Sequence, residues 1–314
     1  MINSNRNKRN GFLIVLVFHS IFKNDNERNM GLIDPSLGIT IDEFHSVVEF
    51  FINKGITFIS YADLQNGLDK NKKYGMITFD DGYYNNTLIL PVLKKFGTPG
   101  LFFISTNFIS CKKCFWWDVI YRERKKKGIS LNEIGQEIEQ LKNQNNSKIY
   151  EYLRTKFGQN SYNCICEIDR PFSSSELALF SKERLVHIGN HTCDHVALAR
   201  YSPQEIRYQI QAAQNTLKEI VGYTPNTISY PFGKISLSKD VVRITKDIGI
   251  KFIFTGYGKN KIPFKIKKDI LWITRNRINP NENLEQQYNQ IISDSVIYLG
   301  KKIFVNRFGY WSFS

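Results

Sequence analysis

The sequence predicts an α/β protein of parallel βα units, sized as one α/β barrel with a helical insertion. Three observations predict it. Short continuous apolar runs recur along the chain, as strands buried on both faces require. Amphipathic stripes that close on glycine stand between them. The 314 residues, about two domains by a length prior, also fit one barrel of roughly 250 residues plus an excursion. With 42% hydrophobic and 23% charged residues, the chain can bury a sizeable core, which excludes disorder as the main state.

The elements follow in order. Gly11 to Phe18 reads as a first buried strand that runs into His19. Ile41 to Lys54 carries the stripe Phe44, Val47, Val48 and Phe51 of a helix closed by Gly55. Ile56 to Ile59 is the next strand, and Ala62 to Leu68 a short helix. Tyr74 to Phe79 is a strand ending in Asp80-Asp81-Gly82, Leu88 to Phe96 a helix, and Gly100 to Ser105 a strand. From about 110 to 173 the rhythm breaks, with helices marked by Leu131 to Leu141 and Ile149 to Phe157; this stretch reads as an insertion in a single domain spanning 1–314. Regularity returns with a helix over Ser175 to Leu185 and a strand over Val186 to Gly189. Ser202-Pro-Gln-Glu205 is a capping box with proline at the first helical position. Its helix ends at Gly222. Strands over Thr227 to Tyr230, Lys251 to Thr255 and Leu271 to Ile278 complete the series, with a helix ending at Gly249 among them.

The net charge is +14, from 43 Lys and Arg against 29 Asp and Glu. The excess is spread in short runs, Arg122 to Lys127 and Lys265 to Lys268, which suits a solvated surface drawn to anions. No nucleic-acid-binding motif accompanies it, so nucleic acid is not an expected partner. Peripheral contact with an anionic membrane face stays open. Arg6, Lys8 and Arg9 precede the first apolar run as in a signal peptide, but no small-residue cleavage site follows. No stretch reaches the ~20 apolar residues of a membrane span. The five cysteines, Cys111, Cys114, Cys164, Cys166 and Cys193, are odd in number and irregular in spacing, as reduced thiols of a cytoplasmic protein are. Cys111-Lys-Lys-Cys114 has half of a zinc-site spacing, but Cys164-Ile-Cys166 is too tight to match it.

Two clusters carry chemistry, each where a strand ends, the place where barrels gather catalytic groups. In Asp80-Asp81-Gly82, adjacent acids on extended chain face opposite sides and can serve different roles. In His191-Thr-Cys-Asp-His195, two of only five histidines lie four apart and can reach one metal if the chain coils by a turn. With a carboxylate they make a two-His-one-acid set with open positions. Thr192 stands where a His-Glu-x-x-His metalloprotease needs glutamate, which disfavours a protease.

Thr78-Phe-Asp-Asp-Gly82, His191-Thr-Cys-Asp-His195 and Ser229-Tyr-Pro-Phe-Gly233, in that order, resemble the polysaccharide deacetylase family, carbohydrate esterase family four, in its Tyr-Pro-Phe-Gly form. Val17-Phe18-His19, Phe115-Trp116-Trp117-Asp118 and Ile188-Gly189-Asn190 match as flanks, so the resemblance runs over roughly 12–280. It implies a distorted (β/α)7-type barrel and metal-dependent removal of N-acetyl groups from an amino-sugar glycan or its precursor, in bacterial surface-polysaccharide synthesis. Asp81, His191 and His195 would hold a divalent metal, commonly zinc; Asp80 would be the general base; the Phe232 backbone N–H would meet the oxyanion. Two departures stand out. Ser229 fills the slot where much of the family has an arginine that orients the base, so Arg275 or Arg277 is the candidate replacement. No histidine follows His195, so the family's late general acid is absent and His19 is the expected substitute. Tyr230, Pro231 and Phe232, with Tyr83, Trp117 and Arg277, are the expected substrate contacts; His45 and His187 are expected to pack. An O-acetyl esterase and a non-catalytic carbohydrate-binding relative remain alternatives.

Overall fold

The computed structural model describes residues 11–111, 113–264 and 270–293, apart from the side chains of Cys111, Lys234 and Ile235. The expected basic residues at 6–9 and 265–268 lie outside them. Eight strands make a nearly closed barrel: β1 (Phe12–Phe18), β2 (Lys73–Phe79), β3 (Gly100–Ile104), β4 (Val186–Asn190), β5 (Thr227–Ser229), β6 (Phe252–Phe254), β7 (Leu271–Ile273) and β8 (Asn276–Arg277). Each pairs in parallel with the next from β1 to β7, and β8 pairs in parallel with β1. Alternation explains the continuous apolar runs. Leu13, Val15, Met76, Leu101, Phe103 and Phe254 meet inside the barrel. Ile14, Leu16, Ile77, Phe79, Phe102 and Ile104 face outward against Phe44, Val48 and Leu217 of the helices. Both faces are buried, so neither can be polar.

The longer helices are α1 (Ile41–Asn53), α2 (Leu90–Phe96), α3 (Trp116–Lys126), α4 (Leu131–Lys142), α5 (Asn146–Phe157), α6 (Ser174–Phe180), α7 (Pro203–Val221), α8 (Lys239–Asp247) and α9 (Leu284–Ser293). The Ser202–Glu205 capping box closes in both directions ahead of α7, which stops at Gly222 with φ 82°. Gly189 in β4 allows a close approach: a Cβ there would sit 2.6 Å from both the Phe103 ring and Thr227 Oγ1.

Three readings change. The strand expected over Ile56 to Ile59 pairs with β2 only through Thr57–Phe58. The late strand expected over 271–278 is two strands. Asn260 and Lys261 occupy the edge of β1 at Phe12 and Leu13, so the chain reaches β1 only further along, at Leu16 and Val17. It leaves β6 at Thr274, whose backbone is held by the Asn260 side chain at 2.8 and 3.0 Å, and Arg275 sits in the gap. Helix α3 has no counterpart in the sequence reading, because Trp116 to Arg122 are all buried and leave no polar face to set a helical period.

Helices α3, α4 and α5 build their own core from Trp116, Val119, Ile134, Ile138, Ile149 and Leu153. Arg122, expected on a solvated surface, is 2% exposed and pairs with the buried Asp169 at 2.7 Å. Arg124 pairs with Glu137 at 2.7 Å and Lys126 with Glu123 at 2.8 Å. Three basic residues of this run are therefore ion-paired, and Arg122 is buried. No described helix is long and apolar enough to cross a membrane.

Candidate active site

The loops after β2, β4 and β5 converge at one end of the barrel. Asp80 continues the β2 ladder, its N–H donating to the Phe18 carbonyl at 3.0 Å. Asp81 then turns into the left-handed region at φ 75°, and Gly82 follows at 98°, packed 3.2 Å from Ile104 where a Cβ would stand. Among the described residues, four non-glycine residues adopt left-handed φ: Asp81, Thr192 (67°), His195 (53°) and Phe232 (57°). All four lie in these three loops. Such backbone costs of order 1–3 kcal/mol per residue and persists only where the surroundings impose it.

The imposition is visible around His191 to His195. Asn190 accepts the Thr192 N–H at 2.7 Å, and Gln209 on α7 accepts the Asp194 N–H at 3.0 Å. Asn107 and Gln209 both donate to the Asp194 carboxylate, at 2.5 and 2.6 Å. Asn107 and Thr106 donate backbone N–H groups to the Cys193 and Thr192 carbonyls.

This frame points two imidazoles at one carboxylate. His191 Nε2 lies 3.4 Å and His195 Nε2 3.1 Å from Asp81 Oδ1. The His191 Nδ1–H donates to the Ser229 carbonyl at 2.8 Å, which leaves Nε2 as a lone pair. Burial lowers the His195 pKa against the pull of Asp81. Burial would raise the Asp81 pKa, but His195 and His191 outweigh it and hold the carboxyl well below its ordinary range. The buried Asp81 Oδ1 has no hydrogen-bond partner. One carboxylate oxygen and one nitrogen from each imidazole, all within 4.8 Å of one another, fit a divalent cation.

Asp80 faces a different neighbour. Arg275 Nη1 and Nη2 donate to its two oxygens at 2.7 and 2.8 Å. Nη2 also donates to Ser229 Oγ at 2.7 Å, and that hydroxyl donates to Asp80 Oδ2 at 3.3 Å. Burial works to raise the Asp80 pKa; the charge of Arg275, with His191, prevails and keeps the carboxyl below its usual value. Two carboxylates of adjacent residues thus differ in their nearest partners, a guanidinium for Asp80 and two imidazoles for Asp81.

His19 follows β1 and lies in the field of Asp81, Asp80, Arg277 and Arg275; burial lowers its imidazole to about 4 against the pull of the two acids. The rings of Trp117 and Phe232 pack on His195 at 4.5 and 4.6 Å between centroids, and Lys142 at the end of α4 reaches over Phe232 at 5.2 Å.

The other sequence-predicted residues take varied positions. Tyr83 is fully buried: its hydroxyl donates to Asp118 at 2.7 Å and accepts the Trp117 indole N–H at 2.9 Å, so it braces Trp117 from behind and faces no substrate. Tyr230 is turned away from the site, 1% exposed, with its hydroxyl on Thr245 at 2.8 Å. Pro231 is buried too, its carbonyl accepting from Ser236 at 2.5 Å. Arg277 is half-buried, in the field of Asp34 and Tyr257. His45 bonds Lys95 and packs on Phe96, and His187 packs on Tyr61.

The sequence model of one family, polysaccharide deacetylase, matches residues 67–253. The chain belongs to the polysaccharide deacetylase family. Its match spans both histidines, both aspartates and the Ser229 to Phe232 loop, and leaves His19 and Arg275 outside. No curated protein matches the chain. Among solved structures it is similar to the Streptococcus pyogenes deacetylase PplD in complex with acetate, with TM-score 0.59 and 16% identity over 89% of this chain and 98% of that one. It is also similar to IcaB from Ammonifex degensii, with TM-score 0.55 and 17% identity over 86% and 93%. A de-N-acetylase from Aggregatibacter actinomycetemcomitans gives TM-score 0.61 and 14% identity over 88% and 99%. At these identities the likeness is one of fold.

Proposed function

We propose that this polysaccharide deacetylase removes N-acetyl groups from an amino-sugar glycan or glycan precursor, with a divalent cation, zinc by its donor set, held by Asp81, His191 and His195. The observation that carries the reading is the pairing of Arg275 with Asp80 beside that acceptor cluster. When bound, the cation would polarise the acetyl carbonyl and favour loss of a proton from water. Arg275 and the Ser229 hydroxyl keep Asp80 ionised and oriented, so that it accepts the proton of the attacking water. Ser229 fixes the second group as well, since its carbonyl holds His191 in the required tautomer. His19 is neutral near pH 7. To protonate the leaving nitrogen, it must first take up a proton within the reaction, and the Asp80 carboxyl is the nearby source. The Phe232 backbone N–H would stabilise the oxyanion. The Trp117 and Phe232 rings flank His195 and offer an apolar seat for the acetyl methyl.

The fold likeness to a named de-N-acetylase and to IcaB supports a role in surface polysaccharide. The +14 charge supports retention of a cytoplasmic enzyme at an anionic membrane face, to be read as membrane association that falls with salt. Acetate release from N-acetylated oligosaccharides, with and without chelator, tests the reaction. Release that is indifferent to chelator, or equal rates on the amide and on O-acetyl esters, would sink it.

A further inference from the structure

The insertion between β3 and α6 touches two of the three loops that build the site, through the two ends of its α4–α5 turn. Asn146, the first residue of α5, donates its side-chain amide to the Asp194 carbonyl at 3.1 Å, inside the His191 to His195 loop. Lys142, the last residue of α4, reaches the Ser229 to Gly233 loop, its Nζ lying over the Phe232 ring at 5.2 Å from the centroid. That ring meets the His195 imidazole edge-on at 4.6 Å. Lys142 is 5% exposed, beside the core residues Ile138 and Leu141 of its own helix. Lysine is rarely buried unless its charge is matched. Three matches are present: Glu139, which accepts from the ammonium, the negative end of α4, and the face of the Phe232 ring.

Phe232 is one of the four residues held in left-handed backbone, at φ 57°, a conformation that its surroundings must impose. The Gly233 N–H donates to the Tyr230 carbonyl at 3.0 Å and fixes the base of that turn. The Phe232 side chain is held from above the turn by His195 and by Lys142. We propose that Lys142 is a positioning residue for the deacetylation proposed above, and resting on that reading: its ammonium pins the Phe232 ring and so keeps the Phe232 N–H directed at the forming oxyanion. The N–H bonds a charge that exists only as the reaction proceeds, so loss of the pin weakens the transition state and spares substrate binding. Burial pulls the ammonium down to about 8, against the Glu139 carboxylate, so the grip is present at neutral pH and fades above that value. The titratable groups that face Lys142 are Glu139 on its own helix and, across the Phe232 ring, His195. The Asp194 carboxylate, on the loop that Asn146 contacts, is taken up by Asn107 and Gln209.

The test compares variants of the full chain, with an oligomer of N-acetylglucosamine as the probe. Lys142→Met keeps the bulk and removes the charge; kcat near neutral pH is expected to fall about tenfold, with KM within about twofold of wild type. A methylphosphonamidate of the same oligomer, which imitates the tetrahedral intermediate, is expected to bind this variant about tenfold more weakly. Wild-type kcat is expected to decline above about pH 8, as the ammonium loses its proton. Lys142→Arg keeps a charge that does not titrate there, so it should recover part of the rate and move that limb to higher pH. Glu139→Gln removes the opposing carboxylate, which is half-exposed, and should move the limb to lower pH. If Lys142→Met does not fold, the displacement of the limb in Glu139→Gln decides. Acetate release with the same kcat in wild type and Lys142→Met overturns the proposal and leaves the reaction standing. So does an alkaline limb that neither Lys142→Arg nor Glu139→Gln displaces. Wild type that releases no acetate overturns the reaction itself, and the role of Lys142 with it.

Discussion

Arg275 grips Asp80 with both terminal nitrogens, at 2.7 and 2.8 Å, although 195 residues separate them in the chain. The pair is buried, at 9% and 4% exposure. Removing the cation leaves a desolvated carboxylate without a counter-charge, which costs about 3–5 kcal/mol at buried pairs. Arg275→Met is expected to lower acetate release about 10²-fold at neutral pH and to move the acidic limb of the rate profile to higher pH. Arg275→Lys should recover part of the rate, because a point charge replaces a two-pronged grip. A wild-type pH profile in Arg275→Met would remove the residue from the mechanism.

The same pair sets a stability dependence. The folded Asp80 pKa is depressed, so its contribution is present above the unfolded value of about 3.9 and is lost as pH falls through the folded value. The stability gap between wild type and Arg275→Met should be full at neutral pH and shrink in acid. Denaturant titrations at several pH values check the sign, and a gap that widens in acid contradicts it.

Asp80→Asn separates the base from the ligands. Acetate release should fall by at least about 10²-fold, the usual share of a general base. Zinc affinity should change little, because the acceptor cluster rests on Asp81, His191 and His195. Isothermal titration with zinc beside the activity assay distinguishes the two effects.

Chelation should abolish acetate release, and added zinc should restore it. A cation that binds only the folded chain stabilises it by about 2.7 kcal/mol at a hundredfold excess over Kd. Thermal unfolding of wild type should shift upward with zinc, and His195→Ala should blunt that shift.

Tyr83→Phe removes a hydroxyl that bridges Trp117 and Asp118 inside the protein. The expected loss is about 1–3 kcal/mol of stability, the cost of stranding buried polar groups. KM for a neutral oligosaccharide should stay within about twofold, since the residue lies behind the wall it supports. A large KM effect with unchanged stability would restore Tyr83 as a substrate contact.

Much of the site was legible because its chemistry sits on short loops at strand ends, where a few consecutive residues fix the backbone and carry the ligands. Asp80, Asp81, His191 and His195 are of this kind. Arg275 was legible only as one of two candidates, since the choice between it and Arg277 depends on where the last strand breaks. That break is set by Asn260 capturing the edge at Thr274, a contact with no local signature. Tyr83 and Tyr230 were misread for the opposite reason: proximity in sequence to a motif says nothing about direction, and both side chains point into apolar packing. Helix α3 escaped because a segment buried on every side has no period to read. Ser229 registered as a missing arginine, whereas its hydroxyl bonds Asp80 and its carbonyl bonds the His191 ring.

The broken closing strand has a consequence for biosynthesis. Ribosomal synthesis delivers Asp80, Asp81 and both histidines well before Arg275, and domains fold as the chain emerges. A nascent chain that stops short of the last two barrel strands therefore holds the three acceptors while Asp80 lacks its guanidinium. The guanidinium that grips Asp80 therefore arrives with the final staves, after the three acceptors are already in the chain.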